Sequence, residues 1–239
     1  MFKLLIYQPL FNLLIIFYNL FNDLGISVIL LTALIRLLLW PMFTKNETNQ
    51  KIMAKIQPEI KRIQKEYAKD YQKQSQELLS IYKQYKLNPS FTIIFSIAQI
   101  FIILALYNVF AIVVKPTFTY YLYQPLRATT SINYLFLNTI NLQQGSLLLA
   151  IIAALTQLVQ GFIMWRNSNP HDPQRNSLLI ITIIMPIILI SLYQQLPSII
   201  FLYWIVLTII GIIQSIYIQK HFRMSLSVPI DKTLDSPAP

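Results

Sequence analysis

Residues 24–43 read Leu24-Gly25-Ile26-Ser27-Val28-Ile29-Leu30-Leu31-Thr32-Ala33-Leu34-Ile35-Arg36-Leu37-Leu38-Leu39-Trp40-Pro41-Met42-Phe43. A bilayer core of about 30 Å takes about 20 apolar residues in a helix, and this run supplies them with a single charge, Arg36. Four further stretches meet the same requirement: 91–114, 146–165, 178–196 and 198–218. Only the corner Gln194-Gln195-Leu196-Pro197 separates the last two, which predicts a tight antiparallel hairpin. The reading is an all-α polytopic membrane protein with five transmembrane helices. Composition agrees with it. Of 239 residues 55% are hydrophobic and 12% charged, with a mean hydropathy of +0.54, whereas a soluble domain carries roughly a quarter charged residues. A disordered chain and a soluble nucleic-acid binder are excluded, despite a net charge of +10. There is no cysteine, hence no disulfide framework, thiolate metal site, thiol nucleophile or lipobox.

The first twenty residues differ from the spans. Gln8, Asn12, Asn19 and Asp23 recur at spacings that share one helical face. This marks residues 1–22 as an interfacial amphipathic helix rather than a span, and no small-residue site follows for cleavage as a signal peptide. Orientation follows from Lys and Arg. Ten of the nineteen lie in 44–90, with Arg166 and Arg175 in loop 166–177 and Lys220, Arg223 and Lys232 in the tail. Loop 115–145 carries only Lys115 and Arg127. The 44–90 segment and the C-terminus are therefore placed in the cytoplasm and the N-terminus outside.

Within 44–90, Ile52, Ile56, Ile60, Ile63 and Tyr67 form one helical stripe, with Pro58 inside it. Tyr71, Leu78, Tyr82 and Tyr85 form a second, beyond a turn near 68–70. This predicts a cytoplasmic helical hairpin between spans one and two. Its mixed charge reads as a solvated face near anionic headgroups, with a partner-binding surface as the alternative. The core so defined covers 23–220, and 221–239 reads as a short disordered tail.

Arg36 is the residue a membrane tolerates least. On a straight helix ending at Phe43 it lies about 10 Å into the core, where a charge is costly and faces a polar cavity unless it snorkels to the headgroups. Polar residues gather in the same leaflet: Gln99, Gln157, Gln160, Thr182, Thr208 and Gln214. Thr32 shares a face with Arg36, and Ser96 shares one with Thr92 and Gln99. A single amide in a span is most often a packing hydrogen bond. Several amides with a cation, and no acid in any span, read as a water-containing groove open to the cytoplasm, with Arg36 as receptor for a negative group. The candidate groove residues are Arg36, Gln99, Thr32, Ser96, Gln157, Gln160, Thr208 and Gln214. Catalytic signatures are missing: His171 and His221 have no carboxylate at metal-ligand spacing, and the four glycines make no phosphate-binding loop. No enzyme, metal or cofactor is expected.

Arg36 through Trp40-Pro41, then Gln57-Pro58-Glu59-Ile60-Lys61 and Asn88-Pro89, resemble the YidC/Oxa/Alb family of membrane protein insertases. Gln99, Ala105-Leu106-Tyr107, Met185-Pro186 and Pro197 with Leu202-Tyr203-Trp204 to Gln214 follow in the same order. Gln8-Pro9-Leu10-Phe11-Asn12 and Asp23-Leu24-Gly25 look like that family's start. The resemblance covers about residues 7–220 and implies the short bacterial form, without a large extracytoplasmic domain. It implies a cytoplasm-open hydrophilic groove in which an arginine matching Arg36 receives polar tails, without nucleotide hydrolysis. The implied partners are nascent membrane proteins and the lipid bilayer, with the ribosome and the Sec translocon as further candidates and no nucleic acid read directly. The implied location is the bacterial cell membrane. Leu207-Thr208, Ile199 and Ser90-Phe91-Thr92 depart from the family pattern, and the tail lacks the long basic extension some members use at the ribosome. The rival readings are a small anion or solute transporter or channel, and an assembly factor whose polar residues only pack helices.

Overall fold

The computed structural model describes residues 7–115, 118–126, 131–168 and 175–226. His171, Arg127 and the tail beyond Leu226 lie outside the described residues. The first helix, α1 (Gln8–Phe21), starts on Pro9 and stops at Asn22, whose φ of 53° turns the chain out of the helix. Asp23 then caps α2 (Leu24–Leu38), one carboxylate oxygen accepting from the Ile26 N–H at 3.0 Å. Its second oxygen accepts from Leu137 N–H at 2.8 Å, so one residue starts a helix and ties it to a distant loop.

The helix expected over 24–43 ends five residues early. Leu39 breaks it, and α3 (Trp40–Glu66) leaves at 62° to α2. Pro41 is the cause. It has no N–H to bond the Leu37 carbonyl and its ring collides with that carbonyl, whereas at the start of a new helix it costs nothing. Arg36 therefore sits two residues from the end of its helix, about 3 Å along the axis rather than 10 Å. The long α3 accommodates Pro58 and turns at 67–70 into α4 (Tyr71–Gln84), capped by Asp70. Ile56, Ile60 and Ile63 of α3 bury against Ile81 of α4 and Leu87. Tyr71, expected in the stripe, is 78% exposed, because the cap at Asp70 sets a phase in which Ile81 takes the inner face.

Asn88 caps α5 (Pro89–Val113), and Ser146 caps α6 (Leu147–Asn167). Between them lie two short 3-10 turns and a two-residue hairpin, β1 (Leu135–Phe136) antiparallel to β2 (Ile140–Asn141). Leu137 and Asn138 make its turn at positive φ. The chain closes with α7 (Arg175–Ser191) and α8 (Ser198–Leu226). Helices α5, α6 and α8 are each long and apolar enough to cross a membrane, and the bent pair α2–α3 makes a fourth candidate. At 17 residues α7 is shorter than the stretch expected over 178–196. Nor do α7 and α8 form the expected hairpin; each packs on α6. Gly161 explains the α6–α7 contact, since a Cβ there would lie 2.5 Å from Thr182 Oγ1, and glycine alone lets the two backbones close.

The bundle is polarised along its axis. Val28, Leu31, Val109, Phe110, Ala150, Ala153, Ile199 and Phe201 form a dry core with α1 at the end where Leu122, Ile132 and Leu142 pack. Ser198 anchors α8 there, its hydroxyl donating to Asn141 O at 2.7 Å. The outer faces of α5, α6 and α7 carry exposed Ile94, Phe101, Leu155, Phe162, Ile181 and Ile187, a surface that water does not tolerate and lipid does. The chain is a multi-pass membrane protein.

Asn12, read as part of α1's polar outer face, is 2% exposed. It donates to Gln8 O and Tyr121 O at 2.7 and 2.9 Å and accepts from Tyr123 N–H at 2.7 Å. Asn12 turns inward, while Asn19 stays exposed, because the 118–126 segment offers Asn12 main-chain partners that lipid lacks. Asn12→Leu leaves those groups unpaired and is expected to cost about 2 kcal/mol, read as a lower Tm of the purified protein in detergent. An unchanged Tm would mean the loop pairs elsewhere.

Candidate functional site

At the opposite end from the dry core the helices splay around a groove of about 900 Å³. Its walls come from the last turns of α2, one face of α3, the first half of α5, the last turns of α6, the start of α7 and the second half of α8. The 62° break at Leu39 creates it: α3 swings away from the α2 axis and leaves Arg36 at the floor. The guanidinium carbon lies 3.5 Å from the centre of the Phe43 ring, a cation–π contact across the break. Arg36 Nε is buried without a hydrogen-bond partner among the described residues.

Four of the eight candidate residues line this groove: Arg36, Gln99, Gln160 and Gln214. Gln160 approaches α8 at Gly211, where a Cβ would lie 2.6 Å from its amide nitrogen and 3.5 Å from an Arg36 nitrogen. Gln214, 1% exposed, donates from Nε2 to Trp40 O and Thr44 Oγ1, both at 3.2 Å. It thereby fastens α8 to the first turns of α3. Thr32 faces a small side cavity of about 20 Å³ with Arg36, Gln99 and Tyr203, and bonds its own helix at Val28 O.

The other three line neither cavity. Ser96 is exposed and donates to Thr92 O; at 100° per residue it stands about 60° round the helix from Gln99. Gln157 Oε1 accepts from Trp204 Nε1 at 3.0 Å, joining α6 to α8. Thr208, 3% exposed, donates to Trp204 O at 2.7 Å.

Sequence reasoning missed the α3 wall. Asn46, Glu47, Asn49, Gln50, Met53 and Gln57 all line the groove. The signal was present, since 46, 49, 50, 53 and 57 share one helical face, centred about 80° round the helix from the isoleucine stripe. It was hidden because 44–90 was read by its charges. No acid lies within the predicted spans, yet one just beyond the first reaches the groove. Glu47 shares the groove, accepting from Ser215 Oγ at 2.8 Å and pairing with Lys51 at 3.2 Å. No cluster of His, Asp and Glu able to hold a metal occurs among the described residues.

The family model of the 60Kd inner membrane protein matches residues 16–225. The membrane protein insertase YidC of Caulobacter vibrioides is 34% identical over 177 residues, 70% of this chain and 28% of that protein. That of Syntrophobacter fumaroxidans is 28% identical over 220 residues, 90% of this chain and 38% of its own length. That of Clostridium tetani is 27% identical over 196 residues, covering 82% and 81%. The chain thus spans well under half the length of the first two. A crystal structure of an active YidC insertase with its first transmembrane domain resolved shares the fold at a TM-score of 0.52 and 24% identity, over 88% of this chain and 46% of that one. Matched from the end of its first helix almost to the end of its last, the chain belongs to the 60Kd inner membrane protein family.

Proposed function

We propose that the chain is a membrane protein insertase and chaperone, which inserts nascent membrane proteins through its groove without nucleotide hydrolysis. The observation that carries this is the placing of Arg36 at the floor of a polar groove whose outer neighbours, Ile93 and Ile94 on α5, are 62% and 65% exposed. A polar tail and an apolar segment can thus be held side by side. Moving an unpaired polar group through lipid costs several kcal/mol; a polar groove cut into the bilayer shortens that path, and Arg36 attracts acidic side chains or carbonyls. Burying the client's apolar segment in lipid, at about 25 cal/mol per Å², drives the step.

The topology that fits has five spans, with α2 and the first turns of α3 as the first and α7 completing the set despite its length. The ten basic residues of 44–90 support a cytoplasmic position for the groove mouth and the α3–α4 pair. The described part of α1, 14 residues, is about 21 Å long, and this reading sets it in the interface on the outer face. Clients meet the α3–α4 pair first; the ribosome and the Sec translocon are further partners of this reading.

Photo-crosslinking from single sites tests it. A crosslinker at Gln99 or Gln160 is expected to capture a ribosome-bound nascent membrane protein, and one at Gln157, engaged with Trp204, several-fold less. Equal silence at 99 and 160 would leave the helix-packing reading in place.

A further inference from the structure

Four side chains that line the groove each carry a buried polar atom with no partner among the described residues: Arg36 Nε, Asn46 Oδ1, Asn49 Nδ2 and Gln214 Oε1. Asn46 is 8% exposed, Asn49 7% and Gln214 1%. A buried polar atom left unpaired is destabilising, and folds rarely keep one without use for it. Four at a single groove are a concentration, and their chemistry is balanced. Arg36 Nε and Asn49 Nδ2 are donors; Asn46 Oδ1 and Gln214 Oε1 are acceptors. A site for an anion would present donors only, and a site for a cation acceptors only. Two of each complement a group that itself donates and accepts, repeatedly and at close spacing. The peptide main chain is such a group, with one N–H and one C=O per residue.

The setting fits the same occupant. Asn46, Asn49, Gln50 and Gln57 run along α3 for three turns beside Glu47, Lys51 and Lys55, a row of primary amides among charges rather than a single receptor point. Gln99 and Gln160 face the groove from α5 and α6. An extended tail advances about 3.3 Å per residue, so a few residues would lie beside the 46–57 row. Amides neither select for side-chain charge nor demand a sequence.

We infer that the groove binds the main chain of its client: the unpartnered donors and acceptors on Arg36, Asn46, Asn49 and Gln214 pair with the N–H and C=O groups of the extended polar tail. This rests on the insertase reading and adds to it that the tail is held by its main chain, over and above the attraction of Arg36 for an acidic side chain.

The test uses the purified full chain in liposomes and a synthetic single-span reporter with a short neutral tail of alanine and serine. A second reporter carries N-methylalanine in place of the tail alanines. N-methylation removes donors, so the bare lipid barrier falls. If the groove merely shortens the path, the methylated tail inserts faster. If the groove pairs with the main chain, it inserts more slowly, by about threefold to tenfold for each hydrogen bond lost, after subtraction of protein-free liposomes. The double variant Asn46→Leu, Asn49→Leu should shrink the difference between the tails by slowing the unmethylated one. Because the methylated reporter leaves the protein untouched, a folding defect in that variant does not decide the outcome. Equal or faster insertion of the methylated tail overturns the inference while leaving the insertase reading standing. No insertion of either reporter above protein-free liposomes overturns both.

Discussion

Replacing Arg36 with alanine should lower insertion of a single-span reporter with a short acidic tail at least tenfold in cells depleted of their own insertase. The magnitude comes from the interaction lost. A hydrogen bond between a charged group and its partner contributes about 1.5–3 kcal/mol, and every 1.4 kcal/mol on the barrier is about tenfold in rate. Arg36 is the only described basic residue within α2, and Glu47, which shares the groove, is already engaged by Ser215 and Lys51. Arg36→Lys keeps the charge but not the flat guanidinium lying 3.5 Å over Phe43, and a compact ammonium is held there less firmly. It should retain a substantial part of the activity. A neutral-tailed reporter should suffer less than the acidic one under Arg36→Ala. Wild-type insertion of the acidic reporter by Arg36→Ala, at equal protein level, would remove the arginine from the mechanism.

Phe110→Ala should be the most destabilising single change in the dry core, by about 3–5 kcal/mol. Phe110 is fully buried, its ring centre 5.4 Å from that of Tyr203 and its surroundings the clustered side chains of α2, α5 and α8. Lipid cannot reach a void inside that cluster, so the lost contacts are not replaced. Phe162 on α6 is 52% exposed on the outer surface; Phe162→Ala should change stability by well under 1 kcal/mol, because acyl chains are as apolar as the ring they replace. Thermal unfolding of both variants in detergent or nanodiscs gives the comparison. Equal losses would mean that the polarised core contributes no more than the lipid-facing surface.

How much of this was legible in the amino acids differs by level. The apolar runs gave α5 and α6 nearly to the residue, because twenty uncharged residues between charged loops admit few alternatives. Pro41 stands in plain view within the run 24–43, but hydropathy counts apolar residues and is blind to a missing N–H, so it shows neither the break at Leu39 nor how near Arg36 lies to the end of its helix. The partner of each helix was less legible still. Pro197 between two apolar runs suggests a hairpin, but Gly161 against Thr182 decides that α7 rests on α6, and that contact exists only after folding. In the groove, Gln160 and Gln214 could be found by their depth in a span. Asn46 and Asn49 could not, since they sit in a segment whose lysines dominate any reading by charge. Thr32 and Ser96 share a helical face with Arg36 and Gln99, and that face is wider than the groove; Thr208 has the right depth but is turned to its own helix at Trp204 O.

The separation of the dry core from the groove bears on how this chain can change over generations. In many proteins the side chains that do the work are embedded among those that hold the shape, and improving either harms the other. Here the two sets occupy opposite ends of the same helices. Substitutions near Val109 or Ala150 can raise or lower thermal endurance without touching the amides of α3, and the lining of the groove can change while α1 and the described parts of the 114–146 segment keep the other end packed. Such a molecule has two independently adjustable ends.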